Sequence, residues 1–152
     1  MAVGVQPDDV PKIDMPAEDV IRTIETANAW MVIKFVNEDV AYNKLLKAFV
    51  EEANAAAGKK PGDYSDLQGF IFISSANSTT PFHTDAEENI LIQIKGDKFV
   101  RTFENDDRQL ISEEGLEISP SRHRNQKYEE WYEHTAAVTL HKPGRAVPMP
   151  TQ

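Results

Sequence analysis

The chain has 152 residues, of which 40% are hydrophobic and 27% charged, and its formal net charge is −9. This size and composition suit one globular domain, and the acidity argues against direct binding to nucleic acid or to a membrane surface. The absence of cysteine excludes disulfides, thiolate zinc sites and cysteine nucleophiles. No apolar run could span a bilayer, and the opening "MAVGVQPDDV" is not typical of a secretory signal. We therefore expect a cytoplasmic protein.

The first part of the chain predicts helices. Residues 1–16 are polar and contain prolines, and we expect them to form a flexible arm. A helix is predicted near residues 17–29 because apolar residues recur there at helical spacing. "WMVIKFV" is rich in β-branched and aromatic residues, which predicts a strand. Asn37 is the expected N-cap of a second helix over residues 38–57.

The second part of the chain predicts short strands. The candidates are "GFIFISS", "NILIQIK", "KFVRTF", "AAVTLH" and "RAVPMP". A long polar excursion containing the aromatic helical piece "QKYEEWYEH" separates the third candidate from the fourth. We expect a single domain over residues 1–152, with a helical part at 17–67 and barrel strands at 68–152. The fold class is α+β, mainly β, with the helices covering one face of a sheet or barrel.

The segment "TPFHTDAEENILIQIKGDK" carries the candidate chemistry. His83 and Asp85 are two apart on a predicted strand, so both side chains point to the same face. An imidazole nitrogen and a carboxylate oxygen are two of the three ligands in the facial triad that binds Fe(II). By itself the pair is also typical of a solvated strand end.

The rest of this segment predicts two different strand faces. One face carries only isoleucines, and we expect it to pack against the N-terminal helices; these are Ile90, Ile92 and Ile94. The other face is mixed, as a pocket lining is, although a solvent-exposed face would have the same pattern. Gly96 and Asp97 predict a hairpin turn, after which Lys98 opens the next strand. A Lys that points into a barrel needs an anion, because burying an unpaired ammonium group is costly. A Lys beside a turn is also typical of a solvent-exposed position.

These residues resemble the Jumonji C and cupin-like 2-oxoglutarate oxygenases, particularly the branch of the asparaginyl hydroxylase that acts on hypoxia-inducible factor. The family pattern is Thr-Pro-x-His-x-Asp, an Asn six residues after the His, and then Gln-x-x-Gly-x-Lys. The resemblance covers roughly residues 69–150. The matching positions are Thr80, Pro81, His83, Asp85, Asn89, Gln93, Gly96 and Lys98.

The resemblance implies a double-stranded β-helix, which is a cupin or jelly-roll barrel, with the N-terminal helices packed outside. It also implies His83 and Asp85 as ligands of Fe(II). Lys98 would pair with the distal carboxylate of the co-substrate 2-oxoglutarate, and Thr80 would donate a hydrogen bond to it. Asn89 would lie near the metal and the co-substrate.

The sequence departs from the family after the Pro143-Gly144 turn. A second iron-binding His follows this turn in the family, whereas "RAVPMPTQ" has no histidine. We interpret the remaining histidines as surface or packing residues; these are His123, His134 and His141. The last barrel strands are also missing, so we expect an incomplete barrel and a truncated form of a longer protein.

Two functions follow from these observations. The first is an Fe(II)- and 2-oxoglutarate-dependent hydroxylase whose substrate is a small molecule or a protein side chain. The alternative is a non-catalytic cupin-like binding module or transcription regulator that keeps the fold without turnover. A cupin isomerase or sugar-binding protein is a weaker possibility, since it gives Lys98 and Thr80 no special role. A homodimer is compatible with each of these functions.

Overall fold

The computed structural model describes residues 14–118 and 125–149. These residues belong to two compact units, which we call the helical unit (within 14–78) and the strand unit (within 79–149). The fold class is α+β, with small antiparallel sheets and few helices. Most of the arm predicted over residues 1–16 lies outside the described residues. Among the described helices, none has the length and apolar character needed to cross a bilayer.

The helical unit combines two helices with one two-stranded sheet. Its elements are α1 (Ala17–Arg22), β1 (Trp30–Ile33), a 3-10 turn (Val36–Glu38), α2 (Val40–Ala56) and β2 (Ile71–Ser74). β1 and β2 pair antiparallel, with Trp30 opposite Ser74. Beyond the end of this pairing, the buried hydroxyl of Ser75 accepts a hydrogen bond of 2.9 Å from the backbone N–H of Ala29. The two helices and two strands predicted here are therefore present, although α1 is shorter than predicted.

Asn37 does not cap α2, so this prediction is wrong. Asp39 is the N-cap, and its Oδ1 accepts hydrogen bonds from the backbone N–H groups of Ala41 (2.9 Å) and Tyr42 (3.1 Å). The 3-10 turn delays the start of the helix, and a carboxylate suits the positive end of the helix dipole. The side chain of Asn37 instead accepts a hydrogen bond of 3.0 Å from the backbone N–H of Gly69.

The described residues of the strand unit form four strands that pair in nested order. Its elements are β3 (Asn89–Ile92), β4 (Lys98–Thr102), α3 (Glu113–Ile118), a 3-10 helix (Glu130–His134), β5 (Ala137–His141) and β6 (Ala146–Met149). β4 pairs antiparallel with β5, and β3 pairs antiparallel with β6. Lys98 lies opposite His141 in the inner pair, and Asn89 lies opposite Met149 in the outer pair. All four predicted strands of this unit are confirmed.

The core of the strand unit is aromatic and comes largely from the excursion between β4 and β5. Phe82 is its central residue, and its ring centroid lies 5.0 Å from that of Phe103 and 5.8 Å from that of Tyr132. The edge-to-face geometry of these ring pairs adds to the stabilisation that burial provides. The other members of the cluster are Leu110, Ile111, Leu116 and Tyr128. A segment that looks polar in sequence therefore supplies most of the core.

The isoleucine face of β3 is not buried as predicted. Ile90 is 40% exposed and Ile94 is 79% exposed. β3 ends at Ile92, so Ile94 lies beyond the strand in the turn that leads to β4. Ile90 lies opposite Pro148 of β6, the only strand that pairs with β3 among the described residues. The strand is therefore present as predicted, but part of its isoleucine face is exposed to solvent.

Candidate functional site

Residues 80–85 form an extended segment that alternates between the core and the open side. Phe82 is 9% exposed and Thr84 8%, whereas the side chains of His83 and Asp85 are 37% and 24% exposed. Successive residues of an extended chain point to opposite sides. His83 and Asp85 therefore share the open side, while the residues between and before them anchor the segment in the core.

The ring of His83 is held in one tautomer by the backbone. Its Nδ1 lies 2.7 Å from the carbonyl oxygen of Pro81. Because a carbonyl oxygen only accepts hydrogen bonds, Nδ1 carries the proton, and in the neutral ring Nε2 keeps its lone pair. Nε2 lies 3.6 Å from Oδ2 of Asp85. A ring nitrogen that can ligate a metal thus lies beside a carboxylate oxygen.

Asn89 orients the carboxylate of this pair. It is the first residue of β3, and its Nδ2 donates a hydrogen bond of 2.9 Å to Oδ2 of Asp85. Groups that hydrogen-bond to metal ligands fix the orientation of those ligands and increase metal affinity. The structure therefore places three of the five predicted site residues in one connected cluster.

Residues 125 and 126, within the excursion between β4 and β5, pack alongside this segment and form hydrogen bonds to it. Asn125 forms an isolated antiparallel bridge with His83. The backbone N–H of Gln126 donates a hydrogen bond of 2.9 Å to the carbonyl oxygen of Phe82, and its Nε2 lies 3.4 Å from Oγ1 of Thr84. The sequence gives no signal for this role, because it depends on a contact more than forty positions away.

Gln93 fixes the turn that leads to Lys98. Its Nε2 donates hydrogen bonds to the carbonyl oxygens of Lys95 (2.9 Å) and Gly96 (3.0 Å). Gly96 has a φ of 74°, which glycine adopts without strain. Sequence reasoning matched Gln93 to the family pattern without a role and predicted a hairpin turn at Gly96 and Asp97. The turn is present, but the prediction of a hairpin is wrong, because β3 pairs with β6 and β4 pairs with β5. The structure assigns Gln93 and Gly96 to positioning the start of β4.

A second turn lies against the first. The backbone N–H of Arg145 donates to the carbonyl oxygen of Lys142 (3.1 Å), and Gly144 has a φ of 83°. Pro143 followed by a glycine at positive φ is the sequence of a type II turn. The N–H of Gly144 donates a hydrogen bond of 2.9 Å to the carbonyl oxygen of Gln93. The two turns are thereby joined at the end of the inner strand pair.

Lys98 and His141 face each other at that end of the β4–β5 pair. Burial lowers the pKa of Lys98 below its ordinary value, and the ammonium group of Lys98 makes no hydrogen bond or ion pair with any described residue. His141 is 2% exposed. Its Nε2 lies 3.0 Å from Oγ1 of Thr139, whereas its buried Nδ1 has no partner among the described residues. Sequence reasoning treated His141 as a surface or packing residue and missed this unpartnered nitrogen.

The remaining predicted residues are not linked to the cluster by a described contact. Thr80 is partly buried, and His134 is exposed at the end of the 3-10 helix. His123 lies outside the described residues. Within residues 14–118 and 125–149, no group of three or more His, Asp or Glu side chains comes together in a geometry that could hold a metal ion. No protein-family model, no curated protein and no solved structure matches this chain.

Proposed function

We propose that the chain is an Fe(II)- and 2-oxoglutarate-dependent hydroxylase, or the iron-site part of one. The observation that carries this proposal is the His83–Asp85 pair, in which Nε2 keeps its lone pair 3.6 Å from a carboxylate oxygen. The proposed substrate is a C–H bond in a small molecule or a protein side chain. The proposed location is the cytoplasm, and a homodimer is compatible with the proposal.

A double-stranded β-helix is the proposed architecture of the strand unit. Its support is the nested order, in which β4 pairs with β5 and β3 pairs with β6. A jelly roll has this order, because a long antiparallel ribbon bends so that its successive strand pairs fall into different sheets. The joined turns around Gln93 and Gly144 mark the bend between the two pairs. The four described strands would form one part of such a barrel.

The two donor groups of the pair are of types that bind Fe(II). Imidazole nitrogen and carboxylate oxygen are the ligand types of the facial triad, and His83 and Asp85 would supply one of each. The hydrogen bond from Asn89 holds the carboxylate of Asp85 in place. Fe(II), when bound, would supply the oxygen activation and the oxidative decarboxylation of 2-oxoglutarate that drive hydroxylation.

Lys98 is the proposed anchor of the co-substrate. Burial lowers its pKa, since no described carboxylate compensates for the water that its ammonium group has lost. A carboxylate of 2-oxoglutarate would provide the missing negative charge through a charge-assisted hydrogen bond. Thr80 is proposed as a second donor to this carboxylate.

A non-catalytic carboxylate-binding module or transcription regulator of the same fold is the second candidate. The observation that favours it is that the described residues bring together a pair of ligand groups rather than a set of three. Such a module would bind 2-oxoglutarate without consuming it. Succinate formation in the presence of Fe(II), ascorbate and a candidate substrate would therefore favour the hydroxylase.

Titration calorimetry with Mn(II), a redox-inert surrogate of Fe(II), tests the metal site. We expect weak binding by the wild-type chain, because two ligand groups give less affinity and preorganisation than three. His83→Ala and Asp85→Ala should abolish it, whereas His134→Ala, a matched change at an exposed histidine, should bind as the wild type does. Tight binding that survives His83→Ala would place the metal elsewhere and remove the chemical basis of the proposal.

A further inference from the structure

The strongest unexplained feature of the strand unit is the imidazole of His141. The residue is only 2% exposed, yet its Nδ1 has no hydrogen-bond partner among the described residues. Leaving a buried polar group unsatisfied destabilises the fold, because the group has lost its hydrogen bonds to water. Buried groups of this kind call for an explanation, and a missing ligand is one that can be tested.

The surroundings of His141 indicate what that ligand would be. Lys98 lies directly opposite on β4, and directly opposite residues of an antiparallel pair project from the same face with Cβ atoms about 4.5–5.5 Å apart. Thr139 shares this face, since it is two residues from His141 on the same strand. The face therefore combines an ammonium group, an imidazole and a hydroxyl group. The chemistry of this set suits an anion with more than one acceptor oxygen, such as a carboxylate.

Thr139 can decide which nitrogen of His141 carries the proton. Oγ1 of Thr139 lies 3.0 Å from Nε2. When the hydroxyl group donates to Nε2, that nitrogen is the acceptor, and the proton of the neutral ring is on Nδ1. Nδ1–H is then a hydrogen-bond donor on the same face as the ammonium group of Lys98.

We propose that His141 is a further recognition residue, in addition to Lys98 and Thr80, for the carboxylate that Lys98 binds, with Nδ1–H as the donor and Thr139 as the positioning residue. This inference rests on the proposed function, because it takes the carboxylate of 2-oxoglutarate as the ligand. Two donors on adjacent strands recognise both oxygens of one carboxylate. This arrangement gives directional selectivity that a single flexible ammonium group lacks.

The first test uses the wild-type chain, so it does not depend on the folding of a variant. Nitrogen-15 NMR of the histidine side chains reports the tautomer of each ring and its response to ligand. We expect His141 to carry its proton on Nδ1, and we expect this resonance to shift when 2-oxoglutarate is added with Zn(II) as a diamagnetic metal. An unchanged Nδ1 resonance at saturating 2-oxoglutarate, or a proton on Nε2, would overturn the inference.

The second test measures 2-oxoglutarate affinity by calorimetry. His141→Phe keeps a ring of similar size and removes both nitrogens, and His134→Phe makes the same change at an exposed position. We expect His141→Phe to lose about 10- to 100-fold in affinity, the effect of one hydrogen bond to a charged group, with Thr139→Val losing less and His134→Phe unchanged. Thermal unfolding of each variant verifies that it is folded.

The possible results separate this inference from the proposed function. If Lys98→Met loses affinity while folded His141→Phe binds as the wild type does, the proposed function stands and the role of His141 is overturned. If the wild type binds no 2-oxoglutarate, the proposed function fails. In that case, a shift of Nδ1 with glutarate would support the carboxylate site alone. The proposed carboxylate site is overturned if the Nδ1 resonance shifts only with inorganic phosphate, or if it shifts with neither anion.

Discussion

Two regions of the strand unit differ in how many of their polar groups have hydrogen-bond partners. One is the segment with His83 and Asp85, and the other is the β4–β5 face with Lys98 and His141. In the segment, Nδ1 of His83 bonds to the backbone and Asp85 accepts from Asn89. On the β4–β5 face, the ammonium group of Lys98 and Nδ1 of His141 have no described partner. The comparison indicates that the proposed metal ligands are positioned before a ligand arrives. The proposed carboxylate face instead contains unsatisfied polar groups, which lower the stability of the fold until a carboxylate binds.

The largest effect is expected from the core that supports the segment. Phe82→Ala should destabilise the fold by about 3–5 kcal/mol, the usual range for removing a buried phenylalanine ring. Phe82 packs against three other aromatic rings and directly precedes His83. Urea denaturation monitored by tryptophan fluorescence measures the change in the free energy of unfolding.

Phe99→Ala provides the matched control on the other side of the comparison. Phe99 lies on the face of β4 opposite to that of Lys98 and is 65% exposed, so its removal should cost less than about 1 kcal/mol. Equal losses for the two variants would show that the segment is no better anchored than the exposed side of the sheet.

A smaller effect is expected from the residue that orients Asp85. Asn89→Ala should weaken Mn(II) binding by about 10- to 100-fold, which is typical of removing an outer-shell partner of a metal ligand. Asn43→Ala in α2 makes the same chemical change in the helical unit and should leave the affinity unchanged. Calorimetric titration of both variants provides the measurement. Wild-type affinity in Asn89→Ala would show that Asp85 is not held in advance.

The smallest effect concerns Lys98 and has the opposite sign. Lys98→Met should raise the free energy of unfolding of the ligand-free chain, because it removes a partly buried ammonium group without a described partner. The pKa of Lys98 is lowered in the folded state from 10.5, so the unfolded state binds its proton more tightly. Wild-type stability from this group therefore rises with pH as pH approaches 10.5. The advantage of Lys98→Met should be largest at neutral pH and shrink over this range.

Denaturant unfolding at several pH values measures this difference. Burial raises the pKa of Tyr128 to about 12, but this contribution is the same in both proteins and cancels. Lys95→Met, at an exposed lysine in the neighbouring turn, is the matched control and should change the free energy of unfolding by less than about 0.5 kcal/mol. A Lys98→Met variant that is less stable than the wild type at neutral pH would show that the ammonium group has a partner.

The strands were predictable because their signal is local. "NILIQIK" and "AAVTLH" carry β-branched and apolar residues over short runs, and these runs contain β3 and β5. The spacing of His83 and Asp85 likewise required only the alternation of an extended chain. The start of α2 was harder to predict, because Asn37 and Asp39 are both good capping residues and the choice depended on the bond from Gly69 to Asn37.

The core and the unpartnered histidine could not be predicted from local patterns. Phe103, Leu110 and Tyr132 lie far apart among polar residues and meet only because the excursion folds back onto Phe82. The environment of His141 depends on its pairing with Lys98, more than forty residues earlier in the chain. α3 did have a local signal that was not used, since Ser112 accepts a hydrogen bond of 3.1 Å from the N–H of Gly115, as an N-cap does.

The nested strand order also constrains how the strand unit folds. Pairing Thr102 with Ala137 closes a shorter loop than pairing Asn89 with Met149, and the entropic cost of closure rises with loop length. Once β4 and β5 have paired, the short turns on either side bring β3 and β6 together at little further cost. We therefore expect the ribbon to form from the excursion outward, with β6 joining last. Such long-range pairing is slow, so β3 should stay unpaired longest during refolding. The apolar side chain of Ile90 is exposed during this time, and we expect intermolecular association to begin there.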